Sequence, residues 1–480
     1  MTQTKIIGSL NGAPEKLDPA AIVDSAQWHA LINLGVNLIT HDHQGRLLGE
    51  AAKSWTVSDD FQTFSFDLVE GLRDSDGNPL DSSDWKATFL HLLRSGGSTH
   101  SFISEFLAID GIVTPSPTRL ILHLKQPYKT LIQRLTTPEF ILLPKRAIMT
   151  SGEVDLKISS GPYRVKEFDR ADQSCTLEVN RYWSHYSLEQ FQEVVLKQRP
   201  NRTGDLIQNL ASGAWGFSIF MPIPTDPEIT KLENFVQQGK IISRPTELSS
   251  VGFVLFFDTK RLNTRAQRLA LAAAIGDRAD LDLNRLSAKA ARQIYPPGFS
   301  GALAPEDEVA LKKSIKASSN LNELPEKLVG YGSVGGFLSG APQWVEKALK
   351  DAGIDVSIKE MPYTDYQEKH KSWDHDFVVV MTGMNAKDPA GSLLTLLSPK
   401  SGIIPDPDGA LNALLQQAVQ ADTNRRAQFL HDVSSRLISE GRIVPFVHYG
   451  NTVLSSASID AFPPTRYDDE LRLSEIRWKK

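Results

Sequence analysis

One cysteine, Cys175, is all the thiol chemistry that this 480-residue chain contains. No internal disulfide is therefore available, and the redox compartment stays open, because a cytoplasmic protein and an exported one with a large core fit equally. Runs of eighteen apolar residues, the length that a bilayer-crossing helix needs, are absent as well. The opening MTQTKIIGSLNGAP has too short an apolar stretch to form the core of a secretory leader. An excess of positive charge is missing too. With 52 Lys and Arg against 57 Asp and Glu, the net charge is -5, which gives no field to gather phosphate backbones or anionic lipid. No nucleic-acid partner is expected. The G-x-S-x-G elbow of acyl-transfer hydrolases does not occur either, the near misses being GFSGA from Gly298 and YGSVG from Tyr331.

What is present is ordinary folded-protein composition, 41% hydrophobic and 23% charged, on a chain longer than one core usually organises. Two or three compact domains are expected. The spacing of Trp28, Leu31 and Leu34 predicts a helix over Asp24 to Val36, capped by Asp24 or Ser25. Alternation predicts strands at Phe61 to Val69, Thr118 to Leu124, and twice between Ser159 and Asn180. DSDG, Asp74 to Gly77, is a tight turn, and DWKATFLHLLRS is a helix with Asp84 as its cap. VGFVLFFDT, Val251 to Thr259, is apolar enough for a strand buried on both faces, and a helix running to Ile275 follows. The order strand, glycine loop, helix, strand between Leu321 and Lys359 makes a βαβ unit. DFVVVMTG, two helices over Asp408 to Glu440, and IVPFVHYG complete the pattern.

Three local motifs invite chemistry. GYGSVG, Gly330 to Gly335, has the G-x-G-x-x-G spacing of a dinucleotide loop, with Glu360 ending the next strand, and Gly330, Gly332 and Gly335 would then approach a pyrophosphate. The alternative is a plain loop of a βαβ unit. His41 and His43 could share a strand face as metal ligands with Asp42, yet no third ligand follows at a recognised spacing. Cys175 alternates with Leu177 and Val179, the pattern of a structural thiol. Trp28, Trp85 and Trp344 fall on apolar helix faces and are assigned to the core.

Several phrases, in this order, resemble one family. They are LDP at Leu17 to Pro19, LLGEAAKSWTVSDDFQTFSFDLVEGLRDSDGNPLDSSDW, GPYRVKEFDRADQSCTLEVNRYWS, VGFVLFFDTKRLNTRAQRLALAAAIGDRADL, IYPPG, KDAGI and RAQFLHDVSSRLISEGRIVPFVHY. Together they are similar to the extracytoplasmic solute-binding proteins, family 5, that serve oligopeptide, dipeptide, nickel and opine ABC importers. The resemblance implies an α/β, two-lobed periplasmic-binding-protein-like fold of class II, closing on a ligand about a hinge near Val251 and Ile443. Lobe I would take 1–40, 158–245 and 445–480, with 41–157 as an inserted subdomain, and lobe II would take 246–444.

The resemblance also implies a monomeric, non-catalytic binder without cofactor or metal, outside the cytoplasm, that hands a small peptide or peptide-like ligand to an ABC transporter membrane permease. Asp24 and Ser25 match a ligand-touching loop of lobe I. Thr382, Gly383, Met384 and Asn385 match the ligand face of lobe II, and Tyr363 matches an aromatic that packs over the ligand. One departure stands out in MTGMNAKDPAGSLL. Where the family places an aspartate that holds a peptide's α-ammonium, this chain has Asn385, four residues before Pro389. Two rival readings are a cytoplasmic ligand-sensing module of the same fold and a nicotinamide-dependent enzyme using the GYGSVG loop.

Overall fold

The computed structural model describes residues 4–479 apart from 11, 13–15, 23–24, 43–45, 97, 201, 221–227, 246–247, 249, 257–260, 283–287, 334–339, 363–364, 366–374, 385–387, 398–403, 405, 407, 451 and 462–470. The chain forms two compact units. The first comprises Met1–Phe220, Leu232–Thr246 and Val453–Lys480, and the second comprises Met221–Lys231 and Glu247–Thr452.

A seven-stranded sheet organises the first unit. Its order is Ile241–Pro245, Thr452–Ser456, Phe217–Phe220, Lys5–Leu10, Glu193–Gln198, Ser174–Val179, Tyr163–Asp169. Lys5–Leu10 runs parallel to both of its neighbours, and the last three strands are antiparallel. The alternation read in the sequence puts Val165, Cys175 and Leu177 into one core, which Val194 and Leu196 of Glu193–Gln198 join with Ile6, Phe217 and Leu31. Burying each large apolar side chain there contributes roughly 1.5–3 kcal/mol. A separate four-stranded antiparallel sheet joins Ala52–Val57, Thr63–Leu68, Arg119–Leu124 and Leu107–Ser116.

Two local expectations shift in this unit. The first helix spans Ser25–Leu31 and stops short of Val36. Asn33 is the reason. Its amide donates to His29 O at 2.9 Å and to Leu471 O at 2.7 Å, and its carbonyl accepts from Leu473 N at 2.8 Å, so the side chain stitches the C-terminal segment instead of continuing a helix face. The second helix, Ser82–Arg94, is capped by Asp81 and not by Asp84. Asp81 accepts from Ser83 N at 2.7 Å while Asp84, three positions into the cap, accepts from Asp81 N at 3.0 Å. This is a capping box with two acidic residues.

The second unit has a six-stranded sheet in the order Ala288–Ala290, Ile443–Tyr449, Ser250–Phe256, Phe377–Gly383, Leu328–Ser333, Val356–Met361. Ser250–Phe256 lies between two antiparallel partners, and Val251, Phe253, Val254 and Leu255 are buried, as the continuous apolar run requires. Leu328–Ser333 pairs in parallel with Val356–Met361 and with Phe377–Gly383, the helix Ala341–Asp351 connecting the first two. Trp344 of that helix stacks on Phe446 with ring centroids 5.3 Å apart. The helix expected to end at Ile275 runs over Arg265–Asp282. Its last turns are polar outside, with Asp277 paired to Lys316 and Arg278 to Asp351, so the apolar run ends before the helix does.

Candidate functional site

Open sheets bind ligands beyond the carboxyl ends of their parallel strands, where helices and loops leave a crevice. In the second unit those ends are Ser333, Met361 and Gly383, all on one edge. The antiparallel partners bring Ser250, opposite Gly383, and Tyr449, opposite Ser250, to the same edge. Four of the seven site residues expected from sequence are described. Thr382 and Gly383 close the central strand Phe377–Gly383. Gly383 is exposed, and a side chain added there would meet only Ser250 Oγ, at 3.8 Å. Met384 is buried immediately after it. Tyr363 and Asn385 lie outside the described residues; each follows the last residue of a parallel strand, Met361 or Gly383, by two positions. Sequence reasoning passed over Ser250 and Tyr449, whose only signal is that they stand at the ends of the strands it had found.

Behind this edge the backbone is fixed by buried polar groups. Asp388 is fully buried, and its Oδ1 accepts from Gly391 N at 3.2 Å in the first turn of the helix Pro389–Leu397. Tyr295 donates its phenol to Pro389 O at 3.2 Å. Burial, together with the Asp388 charge, pushes that phenol well above its ordinary pKa, so it stays a donor. His448, in the strand Ile443–Tyr449, has its Nε2 2.8 Å from Gln293 O. Desolvation lowers its pKa to about 4 against the Gln293 hydrogen bond, which leaves a neutral imidazole at neutral pH.

In the first unit Ser25 opens its helix, and Trp28 stands one turn later. Ser25 Oγ and Trp28 Nε1 are both buried, and neither has a hydrogen-bond partner among the described residues. Asp24 lies outside the described residues. The aspartate of LDP, Asp18, caps the short turn Pro19–Ala21 through Ala20 N at 2.9 Å and meets His91 Nε2 at 2.8 Å. It therefore anchors the segment between the first strand and the first helix. The DSDG turn is built similarly. Burial raises the Asp74 carboxyl, but hydrogen bonds from Arg146 and from the Asn78 and Asp76 amides outweigh it and hold the group below the usual carboxylate range.

The other motifs resolve physically. Gly330 and Gly332 sit inside the strand Leu328–Ser333 and not in a loop after it. A Cβ on Gly330 would fall 2.3 Å from the Phe377 ring, and one on Gly332 would fall 2.4 Å from Pro342, so tight packing explains both glycines. Gly335 lies outside the described residues. Glu360 accepts from Gln343 Nε2 at 2.6 Å, and burial, with Glu346 nearby, raises its pKa. His41 is buried with Nδ1 3.3 Å from Asp42 O, and His43 lies outside the described residues. Among the described residues no group of three His, Cys, Asp or Glu is placed to hold a metal. Cys175 is buried in the first core, and burial pushes its thiol up to about 12. Trp85 and Trp344 are buried and Trp28 is half-buried. No helix among the described residues is long and apolar enough to cross a membrane.

Comparison with known proteins places this geometry in context. The family model "Bacterial extracellular solute-binding proteins, family 5 Middle" matches residues 46–402. A dipeptide-binding protein of Bacillus subtilis, DppE, is 21% identical over 489 residues, covering 93% of this chain and 87% of that protein. The glutathione-binding protein GsiB of Escherichia coli is 27% identical over a shorter stretch, 35% of this chain and 33% of that protein. Among solved structures, a dipeptide-binding protein from Pseudoalteromonas in complex with Met-Leu superposes with a TM-score of 0.84 at 18% identity, over 99% of this chain and 100% of that one. AgaA from Agrobacterium tumefaciens in complex with agropinic acid superposes with a TM-score of 0.80 at 17% identity, over 99% of each chain. These likenesses establish the two-lobed α/β binding-protein fold.

Proposed function

Because the chain belongs to the bacterial extracellular solute-binding proteins of family 5, we propose that it is the solute-binding component of an ABC importer, a non-catalytic protein that captures a peptide or peptide-like solute outside the cytoplasm and presents it to a membrane permease. The observation that carries this reading is the family match over residues 46–402. Its ligand contacts are Thr382, Gly383, Met384 and Asn385 with Tyr363 in the second unit, and Asp24 with Ser25 in the first. Support comes from the position of Thr382 and Gly383 at a strand end in the sheet edge where such folds take ligands. Ser25 Oγ, which has no hydrogen-bond partner among the described residues, adds a polar atom in the first unit. Backbone pairing with an extended ligand would give affinity tolerant of its side chains. The protein works as a monomer, and residues 41–157 form a subdomain of the first lobe, consistent with the separate four-stranded sheet found there. The nicotinamide reading is not favoured, since packing accounts for Gly330 and Gly332.

Ligand charge follows from Asn385. A carboxylate facing an ammonium makes charge-assisted hydrogen bonds worth about 1.5–3 kcal/mol, whereas an asparagine offers a neutral acceptor and two donors. Full burial of Asp388, whose Oδ1 accepts from Gly391 N in the helix Pro389–Leu397, argues against its supplying the missing charge. The ligand therefore presents a neutral or anionic group at Asn385, as a blocked or cyclic peptide, a sugar-linked peptide or an opine does. Calorimetry of the wild type and of Asn385→Asp with paired peptides, free and acetylated at the N-terminus, tests this. The wild type should not prefer the free amine, and the variant should swing toward it by about tenfold. A wild-type preference of that size for the free amine contradicts the assignment.

A further inference from the structure

A glycine inside a strand weakens it, since it has no side chain to pack, and so needs a reason. Gly8, Gly49, Gly111, Gly252, Gly330 and Gly332 have one, because a Cβ on any of them would fall 2.0–2.5 Å from a neighbouring atom. Gly383 is the exception among the described strands. Its φ is not positive, it is exposed, and a Cβ there would meet nothing closer than 3.8 Å. Neither conformation nor packing therefore asks for glycine at this position. What glycine supplies is open space, of the kind that lets another main chain approach closely. Apart from the residues next to Gly383 in the chain, the one atom within 4 Å of that space is Ser250 Oγ, on the adjacent strand Ser250–Phe256.

Ser250 is the second anomaly. The residue is only 7% exposed, and its hydroxyl has no hydrogen-bond partner among the described residues. Withdrawing a hydroxyl from water without a partner is costly. An alanine would fill the same position in the fold without that cost. The two anomalies meet at one point, the carboxyl end of the central strand Phe377–Gly383, where the crevice of the second unit opens.

We infer that Ser250 is a ligand-binding residue of the solute site, reached across the bare Gly383, and that its hydroxyl donates to an amide carbonyl oxygen of a ligand main chain lying against the Gly383 backbone. The inference rests on the solute-binding reading and narrows it, since the ligand then carries a peptide-type main chain that is unbranched where it passes Gly383. A carbonyl oxygen is the matching chemistry because a serine hydroxyl without an acceptor of its own has its proton to give. One such ligand accounts for the missing side chain and for the missing partner at once.

The test is calorimetry on the ligand-stripped full chain with the N-acetylated or cyclic dipeptide that the wild type binds most tightly, together with thermal denaturation of each ligand-free variant. Ser250→Ala should weaken binding about threefold to tenfold. Gly383→Ala, which puts a methyl into the open space, should weaken it at least about fivefold. Neither should lower the thermal midpoint. Wild-type affinity in Ser250→Ala overturns the proposal, and so does a loss of affinity accompanied by a fall in the midpoint, which marks a structural role. A wild type that takes no peptide overturns it as well. If that wild type takes an opine, the solute-binding reading stands without Ser250; if it takes no solute at all, both fall.

Discussion

At the scale of single residues, buried polar groups set the chemistry of the second sheet. His448 is the sharpest case. Its folded pKa of about 4 lies below the ordinary value of 6.5, so between those pH values the unfolded chain binds a proton that the folded chain does not. Stability is fully present above pH 6.5 and is lost as pH falls toward 4, by up to about 3 kcal/mol at 1.36 kcal/mol per unit. Urea denaturation of the wild type and of His448→Gln across that window measures the effect. The wild type should lose stability more steeply on acidification; parallel pH profiles would show that His448 is not the group responsible. The residue scale is also where sequence reading reached least far. Asp81 and Asp84 of DSSDW are equivalent cap candidates until the capping box separates them, and nothing in the spelling of Asn33 announces that its side chain ties residues 471 and 473 to the first helix.

Elements were legible where burial imposed a period. Tyr163–Asp169, Ser174–Val179 and Ser250–Phe256 follow from alternation or from a continuous apolar run, and Ala341–Asp351 follows from its apolar face. Pro305–Ser318 was not legible, because a helix with no fully buried residue leaves no stripe to read. Phe217–Phe220, four residues long, is too short to show a period at all. Thr382 and Gly383 were placed by resemblance, and the strand that carries them explains their position. Glycines misled, since a G-x-G pattern looks the same whether a loop or a packed strand requires it. The structure separates two kinds by the sign of one substitution. Gly330→Ala would press a methyl against Phe377 and should destabilise by about 1–3 kcal/mol. Gly276→Ala meets open space inside a helix and should stabilise by roughly 0.5–1 kcal/mol. Thermal or urea denaturation reads both, and equal signs would contradict the packing explanation.

On the scale of the whole molecule, two units each bury their own apolar core, which accounts for a chain of this length holding together without a disulfide. The single thiol sits inside the first core and takes no part in the proposed chemistry. Length suggested more than one compact domain and the order of phrases a two-lobed fold, while composition alone could not tell a binder from an enzyme. The central claim, that the protein captures a solute and leaves it unchanged, is tested most directly by native mass spectrometry of ligand-stripped, refolded protein incubated with a mixed library of free, N-blocked and cyclic short peptides and opines. The account predicts a one-to-one complex with a subset lacking a free amine, and recovery of those ligands at their original mass after prolonged incubation. No complex with any member, or a bound ligand recovered at an altered mass, would contradict it.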